Sequence, residues 1–139
     1  MEHLRKVDFD RLNASPTRSS QVLIERATGA TTCKIMISRI MPGDGSPRGV
    51  HTHTFEQDLY VISGTLHVEI DGKQYEAGPG TLVVQPAGSA HRLSLPKDAT
   101  GPATYLEFMA PLPAFGETRE SKDSYVDPKT NQWVTPGTK

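Results

Sequence analysis

The sequence has almost no cysteine, no long apolar run and no excess of either charge. Cys33 is the single cysteine among 139 residues, which excludes an intramolecular disulfide. It lies in an apolar run, and we expect a buried, small apolar side chain there rather than a ligand or a nucleophile. No apolar run approaches the roughly 20 residues of a membrane span. The N-terminus also lacks the pattern of a secretory signal, so we expect a cytoplasmic protein.

The near balance of charge limits the partners that the protein can have. The chain carries 15 Lys and Arg residues against 16 Asp and Glu residues, a formal net charge of −1. Without a basic block, nucleic acid and anionic membranes are poor partners.

Residues 1–19 are polar and too few for a helix-turn-helix domain. The length predicts a single domain with a core large enough to be stable without cross-links.

Short β-rich segments separated by glycine and proline dominate the middle of the chain. An alternating pattern is clearest over residues 65–71, where Leu66, Val68 and Ile70 share one face. Asp71 and Gly72 follow, a pair typical of the type I′ turn of a β-hairpin. The predicted strands are residues 21–26, 32–40, 58–63, 65–71, 73–76, 81–85, 91–95 and 103–110. Many short strands at this spacing predict an all-β sandwich or barrel.

The segment GVHTHTFEQDLYVISG, residues 49–64, holds the first candidate site. In an extended segment, side chains two apart point to the same face, so His51, His53 and Gln57 are predicted to face one point. Two imidazoles beside a third polar group are typical of a metal site. A pair of exposed loop histidines is the alternative that this segment alone leaves open.

A second segment, GTLVVQPAGSAH at residues 80–91, adds a third histidine, His91. In order and spacing, the two segments resemble the two motifs of the cupin superfamily, in its small single-domain bacterial form. The resemblance covers about residues 32–110 and implies a double-stranded β-helix, or jelly-roll, barrel. The chain departs from the family pattern at Gln57, where the family usually has Glu, and at Leu95, where it often has Asn.

The resemblance implies that His51, His53 and His91 bind one divalent metal ion, with Gln57 at the position of the family's carboxylate ligand. The ion could be Zn, Fe, Mn, Ni or Cu, since imidazole suits them all. Glu56 and Asp58 compete with Gln57 for the fourth position, although strand alternation directs both away from the histidines. A shell of three imidazoles and an amide has no formal charge, which favours Lewis-acid chemistry over a redox cycle.

Strands that flank the two motifs are expected to line the cavity of such a barrel. They offer Met36 and Ser38 as pocket residues, and Tyr105 and Glu107 as an acid–base pair with shared parity. Arg48, just before the first motif, is a candidate for attracting an anionic substrate. For the four strand residues, the alternative interpretation is ordinary cross-strand packing. For Arg48, it is an arginine on a solvated loop.

The chain is expected to divide into an N-terminal arm (1–19), the cupin barrel (20–110) and an irregular C-terminal tail (111–139). Phe115, Tyr125 and Trp133 are spaced apolar residues in that tail, and a disordered tail rarely keeps three aromatics. We therefore expect the tail to pack on the barrel or on a partner subunit. The resemblance also implies a homodimer, which covers open sheet edges.

Three functions follow from these patterns. The first is a metal-dependent enzyme on a small organic acid, sugar or polyketide-like carbonyl compound, acting as a dioxygenase, isomerase, cyclase or lyase. The second is a non-catalytic barrel that binds a small molecule, and the third is a barrel without a site.

Overall fold

Strands make up nearly all of the regular structure of this protein. A computed structural model describes residues 2–42, 49–112, 125–127 and 132–134. Within these residues, the helical elements are a five-residue α-helix, α1 (Phe9–Asn13), and one turn of 3₁₀-helix (Arg26–Thr28). The strands are β1 (Arg18–Ile24), β2 (Lys34–Ile40), β3 (Glu56–Ser63), β4 (Leu66–Ile70), β5 (Lys73–Ala77), β6 (Leu82–Val83), β7 (His91–Ser94), β8 (Ala103–Ala110), β9 (Tyr125–Asp127) and β10 (Gln132–Val134). The all-β prediction is confirmed.

Two antiparallel sheets form the body of the fold. The larger has the strand order β1-β2-β8-β3-β6, and the smaller has the order β5-β4-β7. The neighbours β2, β8 and β3 are far apart in sequence, so the chain crosses repeatedly between the two sheets. The site described below depends on this crossing, because it places segments from distant parts of the sequence side by side.

The core lies between the sheets and is built from alternate residues of each strand. Leu59 and Val61 of β3 and Leu66 and Val68 of β4 are fully buried, as period-2 alternation predicts. Burying a side chain of this size stabilises the fold by about 1.5–3 kcal/mol. Along β3, the inward-facing side chains change from apolar to polar at Gln57, so one end of the interior is polar.

Two turns depend on backbone conformations that the sequence encodes locally. Asp71 and Gly72 have φ angles of 49° and 82°, and they join Ile70 to its partner Lys73 in the hairpin of β4 and β5. Positive φ at both positions confirms the predicted type I′ turn. Gly64 has a φ of 75°, and a Cβ added there would lie 2.2 Å from the backbone oxygen of Pro102. Only glycine fits this position without a shift of the backbone.

Several element boundaries differ from the sequence-based expectation. β1 begins at Arg18, one residue before the expected end of the N-terminal arm, and Arg26 belongs to the 3₁₀ turn rather than to a strand. The arm contains α1, whose N-terminus is capped by the side chain of Asp8. Cys33 is partly exposed rather than buried, because it lies before β2 begins.

The expected irregular tail contains a short antiparallel ladder. β9 pairs with β10 so that Trp133 lies opposite Val126. Phe115 and the loop residue Arg48 lie outside the described residues. The packing of the tail on the barrel or on a partner subunit stays a prediction. No helix in the described residues has the length and apolar character needed to cross a membrane.

Candidate metal centre

His51 and His91 are brought together by main-chain hydrogen bonds between the two motif segments. The amide of His51 donates to the carbonyl of His91 over 3.0 Å, and the amide of His91 donates to the carbonyl of His51 over 2.9 Å. This isolated antiparallel bridge places the two residues directly opposite each other. The pairing explains why histidines 40 positions apart have adjacent rings.

His53 is held by a turn and by an aromatic neighbour. The amide of Gly88, in the tight turn after Pro86, donates to the carbonyl of His53 over 2.8 Å. The ring of Phe55 stacks on the His53 ring, with centroids 4.5 Å apart and an angle of 20° between the planes. Residues 52–55 lie outside the regular strand, yet His53, Phe55 and Gln57 are all buried while the intervening residues are exposed. The predicted shared face of this segment is therefore confirmed.

The three imidazoles form one compact cluster. Their ring centroids are 4.6–5.1 Å apart, and one ring nitrogen from each lies within 4.8 Å of those of the others. His53 and His91 are only 6% and 2% exposed, and His51 is half-buried. The alternative of exposed loop histidines is wrong.

Burial keeps two of these imidazoles neutral. It lowers the pKa of His53 to about 3, with further lowering by His51 and His91 and a smaller opposing effect of the Gln57 side chain. Burial, followed by the proximity of His51, lowers the pKa of His91 to about 4. Neutral imidazole is the form that binds a metal. His51 Nδ1 lies 2.9 Å from the carbonyl oxygen of Gly49, which assigns the proton to Nδ1 and the lone pair to Nε2.

Gln57 lies beside the histidines and is bound on its other side to a carboxylate. Its Nε2 donates to Glu107 Oε1 over 2.9 Å. The second carboxylate oxygen, Oε2, accepts from Ser38 Oγ over 2.8 Å, and Ser38 Oγ lies 2.8 Å from Ser20 Oγ. This chain of hydrogen bonds runs from the cluster across β3, β8 and β2 to β1.

Unsatisfied polar atoms in the cluster fit a bound cation. Gln57 Oε1 and both ring nitrogens of His91 are buried, and no described partner meets them at hydrogen-bond distance and angle. The Gln57 side chain and the Ser89 backbone nevertheless lie close enough to raise the pKa of His53 and of His91 against the larger effect of burial. Leaving such a group unpaired costs about 1–3 kcal/mol. Gln57 Oε1 and one ring nitrogen of the neutral His91 imidazole offer lone pairs of the kind that a divalent ion accepts. The residues present therefore fit a metal ion.

The competing carboxylates lie elsewhere. Glu56 is exposed, and a hydrogen bond with Asp58 raises the pKa of Glu56. Asp58 also accepts a hydrogen bond from the main-chain amide of Gln85 over 3.3 Å. Neither carboxylate belongs to the group of possible metal-binding residues found among the described part of the chain. Gln57 is thus the better placed of the three candidates.

The expected pocket residues occupy different environments. Ser38 and Glu107 are buried within the hydrogen-bonded chain, and Met36 is half-buried opposite Glu107. Tyr105 is 3% exposed and packs in the apolar cluster that includes Val61. The structure therefore joins Glu107 to the site through Gln57, whereas Tyr105 contributes to the core.

Sequence reasoning missed two residues near the cluster, Phe55 and Gln85, and one buried lysine on β2, Lys34. Phe55 stacks on the His53 ring. It lies two residues before Gln57, so the same alternation that directs Gln57 inward could have predicted an inward-facing Phe55. Gln85 is fully buried, and its side-chain nitrogen and oxygen make no hydrogen bond with any described residue. Its main-chain oxygen accepts from the amide of Gln57 over 3.0 Å, so it flanks Gln57. Lys34 is 4% exposed, paired with Glu25 at 3.4 Å, and shares the parity of the inward residues of β2.

Comparisons with known proteins identify the family and the fold of this chain. A family model described as a cupin domain matches residues 36–109. No curated protein matches the chain in sequence. Many solved structures match it in fold. The three described next are less than 25% identical to this chain in sequence, so they show the fold alone.

One is the polyketide cyclase RemF from Streptomyces resistomycificus, with 21% identity and a TM-score of 0.58 over 67% of this chain and 64% of that one. The chain thus spans less than two thirds of the RemF structure. Another is KdgF from Halomonas sp., with 18% identity and a TM-score of 0.58 over 72% and 84% of the two chains. A third, from Methanocaldococcus jannaschii, is described as an RmlC-like protein with a double-stranded β-helix fold, with 13% identity and a TM-score of 0.63 over 81% and 93%. The predicted double-stranded β-helix is confirmed.

Proposed function

Since this chain belongs to the cupin domain family, whose model matches residues 36–109, we propose that it is a metal-dependent enzyme acting on a small organic acid, sugar or other carbonyl compound. One observation carries the proposal. Three imidazoles from two separate segments meet within 4.8 Å inside the barrel, beside a buried amide oxygen that has no hydrogen bond to any described residue.

The proposed ligands are His51, His53, His91 and Gln57. Three imidazoles suit Zn, Fe, Mn, Ni or Cu in the divalent state. A divalent ion held by four neutral groups keeps its full charge and supplies Lewis acidity to a carbonyl or carboxylate oxygen. We therefore favour an isomerase, cyclase or lyase over a dioxygenase. A polyketide cyclase among proteins of this fold is consistent with carbonyl chemistry.

The chain's own residues prepare the site in two ways. Burial keeps His53 and His91 unprotonated at neutral pH, because the pKa of each is lowered to about 3 and about 4. Phe55 covers one face of His53 and excludes water from it. Acid–base roles for Tyr105 and Glu107, and substrate contacts of Met36, Ser38 and Arg48, stay predictions. A cytoplasmic homodimer is the proposed form of the protein.

Metal content and turnover test the proposal together. Protein purified without chelators is analysed by mass spectrometry for bound metal, and we expect about one divalent ion per chain. The metal-free protein is then loaded separately with Zn(II) and Fe(II) and incubated with a panel of organic acids, sugar acids and β-dicarbonyl compounds. Products are followed by chromatography and oxygen by an electrode.

Turnover by the Zn(II) form without oxygen consumption is the expected result. Oxygen consumption by the Fe(II) form alone would instead indicate a dioxygenase. Ligands that bind and elute unchanged would favour the non-catalytic barrel. A protein that takes up no metal from any of these ions would contradict the proposal.

A further inference from the structure

We propose that Glu107 is a positioning residue that sets the orientation of the Gln57 amide, so that the oxygen of Gln57 and not its nitrogen is available to a metal. The inference rests on the proposed metal site and assigns Glu107 a role in it. It also explains how a glutamine can occupy a position at which the family usually has a carboxylate.

The chemistry of an amide makes an orienting partner necessary. A carboxylate binds a cation through either oxygen, so a Glu at position 57 would need no particular rotation about its last bond. An amide has one oxygen and one NH₂ group, and only the oxygen is a metal ligand. With the wrong rotation, Gln57 would present two N–H groups to a cation, which repel it.

The structure contains the group that selects the rotation. An ionised carboxylate only accepts hydrogen bonds, and Glu107 Oε1 lies 2.9 Å from Gln57 Nε2. Placing the amide nitrogen toward Glu107 leaves Gln57 Oε1 on the other side, buried and without a hydrogen bond to any described residue. Both residues are 8% exposed, so water competes little for this contact.

Glu107 is itself held in place from behind. Ser38 Oγ donates to Glu107 Oε2 over 2.8 Å, which uses the single hydroxyl proton of Ser38. Ser20 Oγ, 2.8 Å from Ser38 Oγ, therefore donates to Ser38. Ser20 and Ser38 are direct partners in the pairing of β1 with β2. Three hydrogen bonds of normal length thus connect Gln57 to side chains on the three strands beyond its own, β8, β2 and β1.

The same contact strengthens Gln57 as a ligand. A carboxylate that accepts from the amide N–H group polarises the amide and increases the electron density on its oxygen. Outer partners of this kind typically change metal affinity by about 10- to 100-fold. The site then has a neutral set of ligands with one carboxyl group placed a single hydrogen bond behind them.

Variants at both positions test this role through metal affinity, measured by calorimetric titration of metal-free protein with Zn(II). Glu107→Gln keeps the size of the side chain but can pair with either rotation of Gln57, so the Kd for Zn(II) is expected to rise about 10- to 100-fold. The exchange variant Gln57→Glu/Glu107→Gln puts a carboxylate at position 57 and a donor at 107. It is expected to bind Zn(II) at least as tightly as the wild type.

Controls separate positioning from a general loss of structure. Glu69→Gln, on β4, removes a carboxylate that pairs with Arg92 and is expected to leave the Kd unchanged. Melting temperatures of the metal-free proteins report folding, and recovery of affinity in the exchange variant cannot come from a merely structural role of Glu107. The exchange variant also keeps the test valid if Glu107→Gln does not fold.

Wild-type affinity in Glu107→Gln, or an exchange variant that binds tenfold or more weakly than the wild type, would overturn the positioning role and leave the metal site intact. Wild-type protein that binds no Zn(II), Fe(II), Mn(II), Ni(II) or Cu(II) would overturn the proposed function, and this inference with it.

Discussion

The metal-free protein should lose stability steeply as the pH falls below the ordinary pKa of histidine. The pKa of His53 is lowered to about 3 and that of His91 to about 4 in the folded protein, whereas an unfolded chain has a histidine pKa near 6.5. The unfolded state therefore binds protons that the folded state does not. Stability is fully present above pH 6.5 and is lost as the pH falls toward 4, because each proton bound to the unfolded chain favours unfolding.

The size of the effect follows from the two shifts. At about pH 4.5, two units below the unfolded pKa, a buried histidine that stays neutral costs roughly 2–3 kcal/mol of stability relative to about pH 7.5. Two such histidines give an upper bound of about 5 kcal/mol, which is comparable to the total stability of a small domain, about 5–15 kcal/mol. Bound metal should add stability at each of these pH values but leave this dependence in place, because it binds only the folded state, in which both histidines are already unprotonated.

Urea denaturation followed by circular dichroism, with a chelator present, measures the free energy of unfolding at several pH values. Replacing His53 or His91 with Gln removes one titrating group, so the loss between about pH 7.5 and 4.5 should shrink by roughly 2 kcal/mol in each variant. His67→Gln is the matched control, since His67 lies on β4 outside the cluster and should leave the pH profile unchanged. Identical profiles for the wild type and the double variant His53→Gln/His91→Gln would refute the reasoning.

Four further outcomes are expected. His91→Ala should abolish stoichiometric metal uptake, measured by mass spectrometry, while His67→Ala keeps it; full occupancy in both would contradict the assignment. Gln57→Glu should tighten divalent binding in calorimetry, because it adds a negative charge to the site; weaker binding both in this variant and in Gln57→Glu/Glu107→Gln, where no second carboxylate faces position 57, would place Gln57 outside the ligand set. Gly64→Ala should lower the free energy of unfolding by more than about 2 kcal/mol, since it combines a left-handed backbone with a Cβ 2.2 Å from the oxygen of Pro102; an unchanged urea midpoint would show that the turn relaxes. Light scattering should give about twice the 15.2 kDa chain mass, and a monomer at micromolar concentration would refute the dimer.

Most of the fold could be predicted because its signals are local. The alternation in β4 depends on period-2 geometry alone, and the turn at Asp71 and Gly72 depends on residues that tolerate positive φ. Strand ends were less predictable, since they depend on which neighbour supplies the hydrogen bonds. β6 is shorter than the predicted strand over residues 81–85, because its regular pairing with β3 covers only two residues.

The histidines of the site were also evident from the sequence. The resemblance of two glycine-bounded segments to the cupin motifs implied the set His51, His53 and His91, and strand parity placed Gln57 on the same face as His51 and His53. The physical basis is again local: an extended chain directs alternate side chains to one side.

Only the tertiary structure decided how these groups are supported. The main-chain bridge between His51 and His91, the contact of Gln57 with Glu107, and the enclosure of Gln85 all join segments that are at least 28 residues apart. No periodicity links such positions, because β3, β6, β7 and β8 become neighbours only when the two sheets close around the core. Sequence could place each side chain on a face of its strand, but the folded barrel determines which side chains on those faces come into contact.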